Sequence, residues 1–350
     1  MDKTPKIKDE EISFIVQGAL CDKTSEYIAC IRKNFLGSEI ILSTWQGTVV
    51  SEEVAKYCDK ILLSKDPGGV PFSFPFGAVV HNNINRQIIS TMAGLRAASR
   101  HYCVKIRTDF TLKSSDVVKF FNIYPRREQD ALVYERRVVV PSIYSRVHLN
   151  GVPTPFHSSD FFAFGLKEDL ILHFGSCPLQ TQEELGEWQY KFPNRCPDPN
   201  CQWRFPPEQA FFYHAAKSKF PDIRMYDLTD LKADNIALSH KLMMNNFIFV
   251  NSDQIGLYSE KHNKALTEPF VQPGIISNLY FEMWYAKTFA ETCRGRTISQ
   301  LKVLERLETH RWRLHQNLKD KANLLSIMSE CLSVLYYKIK SKKNIALSSM

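Results

Sequence analysis

Val104-Lys105-Ile106-Arg107-Thr108-Asp109-Phe110 joins an alternating run to a charged end. Read as a strand, it puts Val104 and Ile106 on one face, Lys105 and Arg107 on the other, and Asp109 where the strand runs out. A carboxylate at the C-terminal end of a strand in an α/β sheet stands where such sheets hold their ligands. Arg107 adds a fixed positive charge two residues earlier. A guanidinium beside a carboxylate able to hold a divalent cation suits a diphosphate. A strand edge with a local Arg–Asp pair accounts for the same residues.

Other residues could do chemistry. Pro206-Pro207-Glu208-Gln209 opens a helix, and Glu208 in its first turn is either an ordinary start signal or a base aimed into a cleft. Asp160 stands at the start of the polar-then-aromatic stretch His157–Gly165, which reads as a strand. Asn82, Asn83, Asn85, Arg86 and Gln87 crowd one helix start; N-capping explains one Asn but not the cluster. His262 reads as an exposed loop residue. Cys196 and Cys201 form the one close cysteine pair, a half zinc site or a local disulfide, without a second ligand pair at a convincing spacing.

The elements that must position these residues follow in order. Ile12–Gly18 reads as a buried strand whose Gly18 allows a tight turn or the close approach of a ligand. A helix over 24–35, a strand over Glu39–Trp45, a short helix over 51–58 and a strand over Lys60–Ser64 complete a βαβαβ pattern, hence parallel strands with right-handed crossovers. A Pro/Gly/Phe-rich loop over 65–77 has the length of a functional loop. A helix from about 83 to 100 leads into the strand ending at Asp109. Helices are expected over 114–121, 167–174 and 206–217, and strands over 131–140 and 246–250. Residues 176–205 read as an irregular insertion over the site, 252–273 as loop, and everything from Asn278 as helical.

The chain has 350 residues, 44% of them apolar and 23% charged, ordinary for a soluble globular protein with a sizeable core. No signal-peptide core follows the first residues, and no apolar run of membrane-spanning length occurs. Nine scattered cysteines without a secretion signal imply reduced thiols and a cytoplasmic location. The net charge of +8 resides in residues 294–350, where 12 Lys/Arg meet 4 Asp/Glu, while residues 1–293 carry 33 of each sign. That neutral body, with no recognisable nucleic-acid-binding motif, argues against a nucleic-acid partner. The basic C-terminal helices could pack on the body, form a homo-oligomer, or lie on the anionic inner face of the cytoplasmic membrane as a peripheral contact.

Five stretches in order, Ile12–Gly18, Leu42–Trp45, Ser64–Gly68, Asn83–Gln87 and Lys105–Asp109, resemble the WavE-type lipopolysaccharide-synthesis family over residues 10–290. The resemblance implies an A-type (GT-A-like) glycosyltransferase. Its fold would be α/β: a mixed, mainly parallel sheet flanked by helices, with a C-terminal helical extension. The catalytic domain would span residues 1–280 and the basic amphipathic extension 281–350. The implied activity is transfer of a sugar from a nucleotide-sugar donor to a growing lipopolysaccharide or capsular glycan, free or lipid-linked. Gln17 and Gly18 would lie by the nucleoside, Ser64, Lys65 and Asp66 by the base or ribose, and Asn85 and Arg86 by the diphosphate or donor sugar. In such enzymes an Asp-x-Asp motif holds a divalent Mn2+ or Mg2+. Here Arg107-Thr108-Asp109 fills that place, leaving Asp109 as a single metal ligand or a ribose contact, and Arg107 able to neutralise phosphate itself. An inverting mechanism would assign the base to Glu208 or Asp160. The alternative is a non-catalytic or nucleotidyltransferase-type nucleotide-sugar-binding protein, although Gln17-Gly18-Ala19-Leu20 is sparse for a phosphate loop.

Overall fold

In the computed structural model, residues 7–73, 79–149, 151–185, 204–228, 232–263, 266, 274–319 and 324–348 are described. Strand β1 (Ile12–Gln17) is buried along its whole length. A strand buried at every position, its polar Ser13 and Gln17 included, belongs to a part of the sheet covered on both faces. The chain continues through α1 (Thr24–Asn34), β2 (Glu39–Trp45), α2 (Glu52–Ala55) and β3 (Lys60–Ser64). Next come the β4 (Val70–Ser73) and β5 (Val79–Asn82) pair, α3 (Ile84–Ala97), β6 (Tyr102–Arg107), β7 (Thr111–Leu112) and α4 (Val117–Phe120).

The second half holds β8 (Val138–Pro141), β9 (Arg146–Leu149), β10 (Val152–His157), β11 (Phe162–Leu166), α5 (Lys167–Gly175), α6 (Gln182–Leu185), α7 (Pro207–Lys219) and α8 (Ala233–Asn246). It ends with β12 (Phe247–Val250), β13 (Leu257–Tyr258), α9 (Asn278–Phe289), α10 (Ile298–Lys319) and α11 (Leu324–Ser348).

Seven strands form one sheet in the order β12-β8-β11-β6-β1-β2-β3. β1, β2, β3 and β6 run parallel, β11 is antiparallel to both β6 and β8, and β12 is parallel to β8. The sheet is therefore mixed and mainly parallel, flanked by helices, with helices at the C-terminus. The chain leaves β1 toward β2 and β3, then returns to add β6 on the other side. That reversal makes a topological switch point at the carboxyl ends of β1 and β6.

Helix α3 lies against β1 at close range. A Cβ added at Gly94 would sit 2.3 Å from Ile15 Cγ2, so only glycine permits this approach. Running antiparallel to the strands it covers, α3 brings its N-terminal Arg86 and Gln87 over the strand ends. At the opposite edge Glu39 ties the layers together. Its carboxylate accepts from Ser13 Oγ at 2.5 Å and Ser99 N–H at 2.8 Å, and pairs with Lys60 at 2.7 Å.

Several expected elements differ. The loop expected over 65–77 holds β4, the loop over 252–273 holds β13, and the helix over 51–58 is confined to α2. The strand over 131–140 is confined to β8, because the Asp169 carboxylate takes the N–H groups of Glu135 (2.7 Å) and Arg136 (2.9 Å) and turns the chain there. Asp160 does not start a strand. It lies in the connection between β10 and β11, two residues before Phe162. Cys196 and Cys201 lie outside the described residues, as do most of the insertion at 176–205 and residues 74–78 of the Pro/Gly/Phe-rich loop.

The division expected at residue 280 falls inside α9, whose Phe281, Met283 and Tyr285 are buried in the same core as the sheet. Glu282 on this helix is 1% exposed. It accepts from the Tyr124 hydroxyl at 2.9 Å and pairs with Arg296. Beyond it α10 and α11 form a hairpin, closed by His310 Nδ1 against Glu330 at 2.7 Å and by stacking of His310 on Tyr337.

Candidate functional site

A cavity of about 780 Å³ opens at the switch point. Its floor is the joined ends of three strands. Gly18 N–H donates to Ser43 O at 3.0 Å, Thr108 N–H to Gln17 O at 3.0 Å, and Thr108 Oγ1 to Ala19 O. Gly18 has φ +118°, a conformation side chains rarely adopt, and its bare Cα leaves the backbone open to the cavity. The Gln17 side chain turns inward and accepts from Ser90 Oγ at 2.7 Å.

Two arginines face this cavity, each gripped by an aspartate. Arg86 donates through Nε to Asp66 Oδ1 at 2.8 Å and through Nη2 to Oδ2 at 2.7 Å, and its Nη1 reaches Asn83 Oδ1 at 2.9 Å. Arg107 makes the same fork on Asp109, at 2.8 and 2.7 Å. A guanidinium has five N–H donors. Arg86 therefore keeps two unspent and Arg107 three. The fork from Arg86 is the main cause that lowers the pKa of Asp66. Phe161 and Phe110 lie 4.9 and 5.6 Å from the Arg107 guanidinium carbon and hold its plane.

The fit of a divalent cation turns on Asp109. Burial alone would raise its pKa, but the hydrogen bonds and charge of Arg107, then His262 and Lys261, bring it below the usual value. Lys261 Nζ is 3.8 Å and His262 Nε2 3.7 Å from Asp109 Oδ2. Each carboxylate oxygen thus accepts from Arg107, and Lys261 adds a second cation beside it. A hard divalent cation needs several free oxygen ligands. Among the described residues no group of three potential metal ligands exists. The donor set at Asp109 does not fit the metal expected there. His262 is not an exposed loop residue either: it is mostly covered and stacks on Phe110 at 5.1 Å.

Behind the cavity wall lies a buried polar cluster. Lys105 on β6 is fully buried; its Nζ donates to the Asp160 carbonyl, lies 3.5 Å from Gln87 Oε1 and faces the Phe174 ring. Gln87 Nε2 donates to Asp160 Oδ2 at 2.6 Å. Gln87 therefore links Lys105 to Asp160, and it lines the cavity too. Asp160 Oδ1 is buried without a hydrogen-bond partner. Burial moves the Lys105 pKa down to about 8. Glu208, at the start of α7, keeps partial solvent access. Burial and then the Asp160 charge push its pKa up to about 8, against smaller pulls from Arg146 and Arg107. The Asp160 charge thus helps to raise the Glu208 pKa, beside a cavity with two arginines.

The structure thus gathers Gln17, Gly18, Asp66, Arg86, Arg107 and Asp109 around one cavity and sets Asp160 and Glu208 behind it. Three expected residues are placed elsewhere. Asn85 is buried and spends its amide on the backbone of Gln180, at 2.8 Å in both directions, so it does not reach a diphosphate. Ser64 closes β3 and Lys65 is exposed just beyond it; neither lines the cavity. Gln87, Lys105, Lys261 and Trp45 belong to the site without having been singled out for it. Gln87 lay in the amide cluster at the start of α3, Lys105 in the strand leading to Asp109 and Trp45 at the end of the Leu42–Trp45 stretch; Lys261 carries no local signal.

The family model for WavE lipopolysaccharide synthesis matches residues 12–304. Comparison with curated proteins finds no match. Among solved structures, an active-site mutant of LgtC is similar over 76% of this chain and 85% of its own, at 10% identity and a TM-score of 0.29, a likeness too distant to bear on chemistry.

Proposed function

The chain belongs to the WavE lipopolysaccharide synthesis family, and on that premise we propose that it is a nucleotide-sugar-dependent glycosyltransferase extending a lipopolysaccharide or capsular glycan. The observation that carries this reading is the pairing of two arginine forks in a switch-point cavity with a carboxylate pair directly behind it. The cavity would take the nucleoside diphosphate, with Gly18 allowing close approach and Arg86 and Arg107 facing the phosphates. Glu208 as carboxylate would take the proton of an acceptor hydroxyl. The acceptor oxygen then bonds to the anomeric carbon as the bond from that carbon to the diphosphate breaks. The departing diphosphate carries the electron pair and is neutralised by the arginines. Asp160, held by Gln87, would orient the acceptor and tune Glu208. A thermal-shift screen of nucleotide sugars tests the donor assignment. One or more donors should raise the melting temperature, and a flat response across all common sugars and bases would contradict it.

A base titrating near 8 has a signature. For Glu208 the charged form is disfavoured in the folded protein, so the active carboxylate accumulates as pH rises. The kcat profile should therefore climb through about pH 8. By the same sign, this one group's contribution to stability falls as pH rises from the ordinary glutamate range toward about 8. Replacing Asp160 with Asn removes the like charge, so the climb should move to lower pH. A profile that does not move would separate Asp160 from Glu208.

Among the described residues no helix is long and apolar enough to cross a membrane. α11 nonetheless exposes Met328, Leu332, Leu335, Tyr336 and Ile339, each about half exposed or more, at spacings that put them on one face. Lys338 and Lys340 lie beside them. With the basic excess of residues 294–350, this face suits peripheral contact with an anionic membrane that presents a lipid-linked acceptor. Flotation should show binding to vesicles containing anionic lipid and little to neutral ones; equal behaviour toward both would remove this contact.

A further inference from the structure

We propose that the donor's diphosphate is held by protein cations without a divalent metal, and that Asp109 anchors Arg107 rather than ligating an ion. The inference rests on the nucleotide-sugar reading and deepens it. Each oxygen of Asp109 accepts from Arg107, at 2.8 and 2.7 Å, in the two-pronged geometry that uses both carboxylate oxygens at once. Each oxygen keeps a second lone pair, but on a carboxylate whose charge the guanidinium already offsets. The rings of Phe110 and Phe161 hold that guanidinium in place. Lys261 Nζ stands 3.8 Å from the same carboxylate, so a divalent cation placed there would meet its positive charge. Asp109 and His262, 3.7 Å apart, are two potential ligands, and among the described residues no third joins them.

The second pair follows the same plan. Asp66 holds Arg86 across the cavity and leaves it two donors to spare. The two remaining acids of the cavity lining do not remedy the donor set. Glu260 lies 3.7 Å from Lys23, and neither it nor Asp22 forms a three-ligand group with Asp109. The negative charge of a diphosphate thus finds two oriented arginine forks and Lys261 where a metal would otherwise be needed. Arg forks match phosphate oxygens in pairs, whereas lysine offers a point charge.

Calorimetric titration of the full chain with UDP, GDP, CDP, ADP and dTDP, first in EDTA and then with excess Mn2+, tests the proposal. At least one nucleotide should bind in EDTA, with an affinity that Mn2+ leaves nearly unchanged. Arg107→Gln should weaken it by about 10- to 100-fold, the scale of losing charge-assisted hydrogen bonds. Asp109→Asn keeps one acceptor for Arg107 but turns an amide NH2 toward its second prong, so it should weaken binding less than Arg107→Gln does, and equally in EDTA and in Mn2+. Binding that appears only with Mn2+ and vanishes in Asp109→Asn would overturn the metal-free clamp while leaving the donor reading intact. No binding of any nucleotide, with or without Mn2+, would overturn both.

Discussion

Replacing Glu208 with Gln is expected to slow sugar transfer by about 10²–10⁴-fold, the range a positioned general base supplies, while donor affinity stays nearly unchanged. Gln is close to Glu in size, so the start of α7 and its packing should survive. What is lost is the ability to accept a proton. Glu208 is the group to bet on for two physical reasons. Its pKa is pushed up to about 8, which matches a base working at neutral to mildly alkaline pH. It also keeps partial solvent access, whereas Asp160 is buried behind Gln87. Steady-state rates with a fixed donor, together with donor affinity by calorimetry, separate a lost base from a lost fold. Near-normal turnover in Glu208→Gln would pass the role to Asp160.

The second large effect is on stability. Glu282→Ala should cost about 3 kcal/mol, near the lower end for breaking a buried ion pair by removing one partner. Glu282 joins three parts of the chain. It accepts from Tyr124 in the body, pairs with Arg296 ahead of α10, and sits 3.9 Å from Arg294. Removing it leaves a buried phenol and two cations without their acceptor. Arg294 and Arg296 keep partial exposure and can turn to solvent, which limits the cost. Denaturant unfolding monitored by circular dichroism would measure it. A change below about 1 kcal/mol, the size of an exposed pair, would show that this junction is not a buried one in solution.

Much of this arrangement was legible in the sequence because parallel strands are continuous apolar runs. β2 and β3 fall on the residues expected for them, and β1 and β6 within two residues at either end. The five short motifs that resemble the WavE family all lie within the matched region, 12–304; the expected span, 10–290, began two residues earlier and ended short of it. The carboxylate at the strand end, Asp109, was legible for the same reason: it follows directly from where β6 stops.

What the sequence hid depends on contacts between distant parts of the chain. Lys105 alternates with Val104 and Ile106 and so reads as the open face of a strand. Both faces of this sheet are covered, however, and the lysine is enclosed against Gln87, Phe174 and the Asp160 carbonyl. Asn85 and Arg86 are neighbours on one helix turn but point different ways. Only the clamp on Gln180, 95 residues later, decides which of them faces the cavity. His262 reads as exposed because loops usually are; stacking on Phe110 and a tilted contact with Phe161 cover most of it. α8 escapes a search for apolar periodicity because its buried side includes Asn235, Ser239, Asn245 and Asn246. Two of these serve the backbone at 128–134, a role with no local signature.

The central claim is that the cavity and the carboxylates behind it form one catalytic unit acting on a nucleotide sugar. Its most direct measurement is nucleoside diphosphate release from the donor found in the screen, on addition of purified lipopolysaccharide core as acceptor. The account predicts acceptor-dependent release by the wild type and almost none by Glu208→Gln, although both bind the donor. Donor binding by the wild type with no release in the presence of acceptor would contradict it and leave a nucleotide-sugar-binding protein without transfer activity.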